Sequence, residues 1–95
     1  MEITTTSNIV TISGNIKSVS DYQQIKGTLD SLAATHKSII IEIKDSISIT
    51  SSIIGYLTKL VQKEGIDLSI KVGNKSLLEL FDDLHLISLF KVRKL

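Results

Sequence analysis

The stretch from Ser38 to Val72 reads SIIIEIKDSISITSSIIGYLTKLVQKEGIDLSIKV, and its rhythm decides the fold class. Ser38 to Ile43 is short, β-branched and nearly continuous in apolar residues. That is the pattern of a central strand covered on both faces for much of its length. Residues 44–50 read as a loop. From about Ser51 to Glu64, Ile53, Ile54, Leu57, Leu60 and Val61 recur every three or four positions, which makes one apolar stripe on a helix. Gly65 stands where a helix wants a left-handed residue just past its end. Lys59 and Lys63 fall in the last two turns, and Lys63 suits the negative end of the helix dipole. Ile66, Leu68, Ile70 and Val72 then alternate with Asp67, Ser69 and Lys71, giving a strand with one face on the core and one in water. Strand, helix and strand in succession imply parallel pairing through a right-handed crossover.

Working outward toward the N-terminus, residues 2–6 and 8–13 are rich in Thr and Ile, with Ser7-Asn8 able to turn the chain between them. Val10 and Ile12 fall on one face, Ile9 and Thr11 on the other, and the pair of segments reads as a β-hairpin ended by Gly14-Asn15. A helix starts near Ser20, where Ser20 and Gln23 have capping-box spacing. Tyr22, Ile25, Leu29 and Leu32 form its stripe, and Gly27 weakens it by up to about 1 kcal/mol relative to Ala. Toward the C-terminus, Gly73-Asn74 closes the alternating strand. A third helix points Leu77, Leu80, Phe81 and Leu84 inward, capped either by Ser76 with Glu79 or by Asn74. A short last strand runs from Leu89 to Arg93. The order is β-β-α-β-α-β-α-β. It predicts an α/β fold with a mixed, mostly parallel sheet of four to five strands and three main helices, mainly on one face.

The chain has 95 residues, one domain spanning 1–95. A domain of this size buries roughly 60–65% of the surface its unfolded chain exposes, so its stability is modest. There is no cysteine, which rules out disulfides and thiolate metal sites. The net charge of +1 lacks the concentrated basic face of a nucleic-acid binder. Lys91, Arg93 and Lys94 read as a solvated cluster. No purely apolar run is longer than that of Ile39 to Ile41, far short of the roughly 20 residues that span a bilayer. Met1-Glu2-Ile3-Thr4 lacks the features of a signal peptide. These readings predict a soluble, cytoplasmic protein without direct membrane insertion, a monomer or weak homodimer.

Catalytic chemistry finds little support. His36 and His85 are the only histidines, each at the predicted end of a helix, where an imidazole meets the last carbonyls. Neither has a metal-motif partner. Asp82 and Asp83 are adjacent in a helix and diverge by about 100°, so they do not converge on a shared proton or metal. No Gly-rich loop matches a phosphate cradle, and Gly14 and Gly73 read as turn glycines. The expectation is a protein that is not an enzyme and needs no cofactor.

One region stands apart. Residues 46–52 read Ser-Ile-Ser-Ile-Thr-Ser-Ser, with Thr50, Ser51 and Ser52 where the middle helix begins. One reading is N-capping, worth about 1 kcal/mol. The other is a phosphorylation switch. A phosphate there is tolerated by the free N–H groups and dipole of the helix, yet places a bulky charge under any partner docked over it.

The layout resembles the STAS domain of bacterial anti-sigma-factor antagonists. That family carries a strand ending in an acidic residue, a loop, then Asp-Ser and a Ser or Thr followed by Gly-Leu-Gly opening a helix. Here the strand is Ile39-Ile40-Ile41-Glu42-Ile43, the loop is Lys44 to Ile49, and the helix opens Thr50-Ser51-Ser52-Ile53-Ile54-Gly55-Tyr56-Leu57. The later segments follow in the family's order, so the resemblance covers essentially the whole chain. It implies a regulatory domain that binds a GHKL-type serine kinase, itself the anti-sigma factor, and is released by phosphorylation. Ser51 is the implied acceptor, with Thr50 and Ser52 as alternatives. The implied partner surface comprises Asp45, Ser46, Ser48, Thr50, Ser51, Ser52, Gly55, Tyr56 and Lys59. Two positions depart from the pattern: Thr50 replaces the family's Asp, and Ile53 replaces the first Gly, adding bulk where the family offers bare backbone. Gly55 is kept, which suggests close approach of a neighbouring backbone. Tyr56 reads either as an outer contact residue or as a half-buried packing residue. The departures keep a second role open, that of a constitutive STAS subunit of a larger assembly such as a lipid-transport ATPase complex, without phosphorylation.

Overall fold

The structure, a computed structural model, describes residues 1–95. Its elements are β1 (Glu2–Thr6), β2 (Ile9–Ser13), α1 (Val19–Ala33), β3 (Ser38–Ile43), α2 (Ser51–Gln62), β4 (Asp67–Val72), α3 (Lys75–Asp83) and β5 (Val92–Lys94). The five strands form one sheet in sequence order. β1 and β2 are an antiparallel hairpin, and the β2–β3, β3–β4 and β4–β5 pairs are parallel. The fold is thus α/β, with a mixed sheet and three helices.

Each helix carries the chain one strand further in the same direction. Right-handed crossovers that all step the same way put every helix on the same side of the sheet. The burial follows. Val10, Ile12, Ile39, Ile41, Ile43, Leu68, Ile70 and Val72 point into one core with Ile25 and Leu29 of α1, Ile53, Leu57 and Leu60 of α2, and Leu77 and Phe81 of α3. Phe81 meets Phe90 edge to face, with ring centroids 6.2 Å apart. The sheet's other face has no helix. Across it one row runs Thr4, Thr11, Glu42, Lys71, Arg93. The central strand is therefore covered on one face only, contrary to what its apolar run implies. Ile40 and Glu42 are half-buried between their strand neighbours, and Ile40 sits between Ile9 and Ser69.

Other boundaries move for local reasons. α1 begins after Ser18, not at Ser20. The Ser18 hydroxyl accepts from the Asp21 N–H at 3.0 Å, and the Asp21 carboxylate accepts from the N–H groups of Ser18 and Lys17 at 3.2 and 3.1 Å. A carboxylate complements the positive end of the helix better than the Gln23 amide does. α2 stops at Gln62 with Gly65 at φ 68°, and α3 is capped by Asn74. Ile54, Val61 and Leu80 are half-buried, and Leu84 is exposed because α3 ends at Asp83, one residue before it. Leu86 to Lys91 turn rather than extend, so β5 is shorter and later than its sequence suggests.

Candidate functional site

Parallel strands deliver their outgoing loops to one end of the sheet, and that end is where open α/β sheets place their sites. Here the loop after β2, residues 14–18, meets the loop after β3, residues 44–50. Three hydrogen bonds stitch them together: Gly14 N–H to Asp45 Oδ1 at 2.6 Å, Ile16 N–H to Ser46 Oγ at 3.0 Å, and Ile47 N–H to Asn15 Oδ1 at 3.2 Å. The Ser46 hydroxyl in turn donates to the Ser48 carbonyl at 2.7 Å. Beneath them Gly73 donates to the Ile43 carbonyl at 2.8 Å. A Cβ on Gly73 would lie 2.1 Å from the Lys44 carbonyl oxygen. Gly73 is therefore a close-approach glycine and not an ordinary turn residue.

Two predicted contact residues are not available to a visitor. Ser46 is fully buried, because its oxygen is the shared partner of two backbone groups. Tyr56 is 6% exposed, because position 56 lies one turn from both Ile53 and Leu60 and so falls on the core stripe. Its hydroxyl donates to the Asp30 carboxylate and lies 3.4 Å from the Lys26 carbonyl. Lys26 Nζ is 2.9 Å from Asp30 Oδ2 and 5.5 Å from the centre of the Tyr56 ring. The Tyr56 hydrogen bond, followed by that of Lys26, holds the Asp30 carboxyl below the ordinary carboxylate range. Burial, reinforced by Asp30, pushes the Tyr56 phenol up. The cluster ties α1 to α2.

The remaining predicted residues reach the surface to different degrees. Ser48, Ser51, Ser52, Gly55 and Lys59 are exposed, and Thr50 is half-buried. Asp45 is exposed, but its carboxylate is engaged with Gly14. The Thr50 hydroxyl accepts from the Ile53 N–H at 3.3 Å, so Thr50 is the helix cap and the two serines are not. No acidic side chain occupies the first turn of α2, and its free N–H groups and dipole are unmatched by any anion there. Ile53 is 2% exposed. Its bulk goes into the core rather than toward a visitor. A Cβ on Gly55 would meet nothing within 4 Å, so no neighbouring backbone of this chain approaches it.

The starts of α1 and α2 enclose a cleft of about 290 Å³ lined by Lys17, Ser18, Val19, Tyr22, Thr50 and Ser52. Of these, Val19 is 73% exposed, and Ile47 on the loop after β3 is 56% exposed. Local spacing marks none of Lys17, Ser18 and Val19 as site residues, and it places Tyr22 on the apolar stripe of α1 rather than at a cleft. The available signal was topological: the parallel pairing of β2 and β3 requires their outgoing loops to be neighbours. Nothing lining the cleft is a histidine or a carboxylate, and nowhere do three or more His, Cys, Asp or Glu gather as metal ligands. The His36 Nδ1 lies 3.2 Å from the Leu32 carbonyl at the end of α1. Asp82, Asp83 and His85 are exposed. No helix is long and apolar enough to cross a membrane. No family model matches the chain, and no curated protein matches it significantly.

Proposed function

We propose that this chain is a non-catalytic protein-binding domain of the STAS type, similar to anti-sigma-factor antagonists, and that it docks a serine kinase of the GHKL class over the start of α2. Phosphorylation at Ser51 releases the partner. The observation that carries this reading is the division of labour among three adjacent hydroxyls. Thr50 does the capping, which leaves Ser51 and Ser52 exposed and uncommitted on a helix turn that holds no acid. A phosphate at Ser51 meets free N–H groups and the positive helix end, so the fold accommodates it. A partner covering the same spot meets a desolvated double charge, and its affinity falls. The stitched loops support the reading, since exposed Ile47 stands on one of them and exposed Val19 opens α1 directly after the other, across the cleft from Thr50 and Ser52.

The test is incubation with a candidate kinase and ATP, followed by mass spectrometry and a binding titration. The expected result is phosphate on Ser51, and a drop of at least about tenfold in affinity for Ser51→Asp, equal to roughly 1.4 kcal/mol. The melting temperature of that variant should stay within a few degrees of the parent. Absence of modification at residues 50–52, together with absence of kinase binding, removes the proposal. Firm association with another protein that Ser51→Asp leaves unchanged replaces it with a constitutive subunit role.

A further inference from the structure

The outer edge of β1 is an open pairing site, and we infer that its occupant is a second copy of the same strand. The backbone geometry settles which groups are free. The hairpin turn has two residues, Ser7 and Asn8, so Thr6 and Ile9 flank it as a mutually hydrogen-bonded pair. Alternation then turns the N–H and C=O groups of Glu2, Thr4 and Thr6 toward β2. Those of Ile3 and Thr5 point away from the sheet. Neither residue has a hydrogen bond to any loop, turn or side chain.

Native sheets guard such an edge with lysine, proline, a bulge or brevity. β5, at the opposite edge, follows that rule, being three residues long and carrying Arg93 and Lys94. β1 is guarded only by Glu2 at its start. Ile3 and the three threonines that follow have high strand propensity, and the strand holds no proline or lysine and pairs with β2 without a bulge. All but Ile3 are exposed. The strand is already held extended by β2, so little order is lost when it pairs.

A second copy fits this edge in one register that uses every residue. Two-fold antiparallel pairing about Thr4 sets Ile3 opposite Thr5 of the other copy, and four N–H···O=C bonds form. The Thr4 pair sits at the axis in a non-hydrogen-bonded position. Glu2, the only charge on the strand, faces Thr6 of the other copy and not its own equivalent, so no like charges are opposed. The product is a continuous ten-stranded sheet. A pairing of five-residue strands buries little surface, so the association is weak and concentration-dependent.

Two measurements test it. Sedimentation equilibrium from micromolar to millimolar protein should show the mass rising from 10.4 kDa toward twice that value. Thr5→Pro deletes an outward N–H that β2 does not use, and should hold the protein at the monomer mass with its circular dichroism unchanged. Independently, the chain lacks cysteine, so single replacements report register. Across the axis the Thr4 Cα atoms are about 4.5 Å apart, within disulfide reach. The Thr6 pair is separated by roughly 13 Å along the strands. Thr4→Cys should therefore crosslink under mild oxidation and Thr6→Cys should not. A protein that stays monomeric at millimolar concentration overturns the inference. So does a dimer that persists in Thr5→Pro, or one that crosslinks through Thr6→Cys as readily as through Thr4→Cys.

Discussion

Ser46 exposes no surface, yet it is a hydroxyl in a loop. Its oxygen serves the Ile16 N–H and the Ser48 carbonyl at once, so Ser46→Ala leaves the buried Ile16 N–H without its partner and frees the Ser48 carbonyl of an exposed residue. The expected loss is about 1–3 kcal/mol in a urea titration, with faster amide exchange at Ile16. Three glycines make a sharper comparison, because one kind of substitution has three outcomes. Gly73→Ala forces a Cβ onto the Lys44 carbonyl and should cost on the order of 3 kcal/mol or more. Gly65→Ala meets no neighbour but holds φ 68°, and should cost about 1 kcal/mol. Gly55→Ala enters open space on a helix, and should stabilise by about 0.5–1 kcal/mol. Thermal denaturation of the three variants checks the order. Of these roles only that of Gly65 was legible in the sequence, as the left-handed residue past the end of α2. Ser46 and Ile16 are 30 positions apart, as the hydrogen bond between them records, and local spacing carries no trace of such a tie. Tyr56 is a different case: the sequence left it open between an outer contact and a packing residue, and its burial decides for packing.

At the level of elements, α1 and α2 are joined by Tyr56, Asp30 and Lys26. The Lys26–Asp30 pair is half-exposed, so solvent screens it and it contributes little. The phenol is buried, and Tyr56→Phe should cost about 1–2 kcal/mol. The junction also shapes stability against pH. Asp30 has a lowered pKa in the folded chain. Its contribution is complete above the ordinary carboxylate range and fades as pH falls through the lowered value. Tyr56 is shifted upward from 10.0, so its contribution is complete below pH 10 and fades as pH climbs further, because the unfolded phenol ionises first. Urea midpoints measured between pH 8 and about 11.5 should fall in the parent, and fall less in Tyr56→Phe. The helices and strands themselves were largely readable, because the stripe of α2 and the alternation of β4 are long enough to be unambiguous. The start of α1 was not. Ser18 with Asp21 and Ser20 with Gln23 share one spacing, and only the carboxylate's charge separates them. The covering of β3 was misread for a related reason, since an unbroken apolar run does not reveal how many of its sides a helix reaches.

For the molecule as a whole, protection of the backbone should decline outward from the centre of the sheet. β3 and β4 each have a partner on both sides and three fully packed side chains, whereas β1 has one partner and four exposed residues. Native-state hydrogen exchange should place the β3 and β4 amides at the global unfolding free energy. The amides of Ile3 and Thr5 should exchange nearly freely in dilute solution and gain protection as protein concentration rises. The single wall of helices carries a further thermodynamic consequence. With the rear of the sheet wetted in the native state, unfolding uncovers less hydrocarbon than the chain length would imply. The heat-capacity increment then lies below the roughly 1.2–1.4 kcal/mol/K typical of 95 residues. A small increment flattens the curve of stability against temperature, so this domain should hold a nearly constant margin from the cold to body heat and melt over a wide interval when it finally gives way.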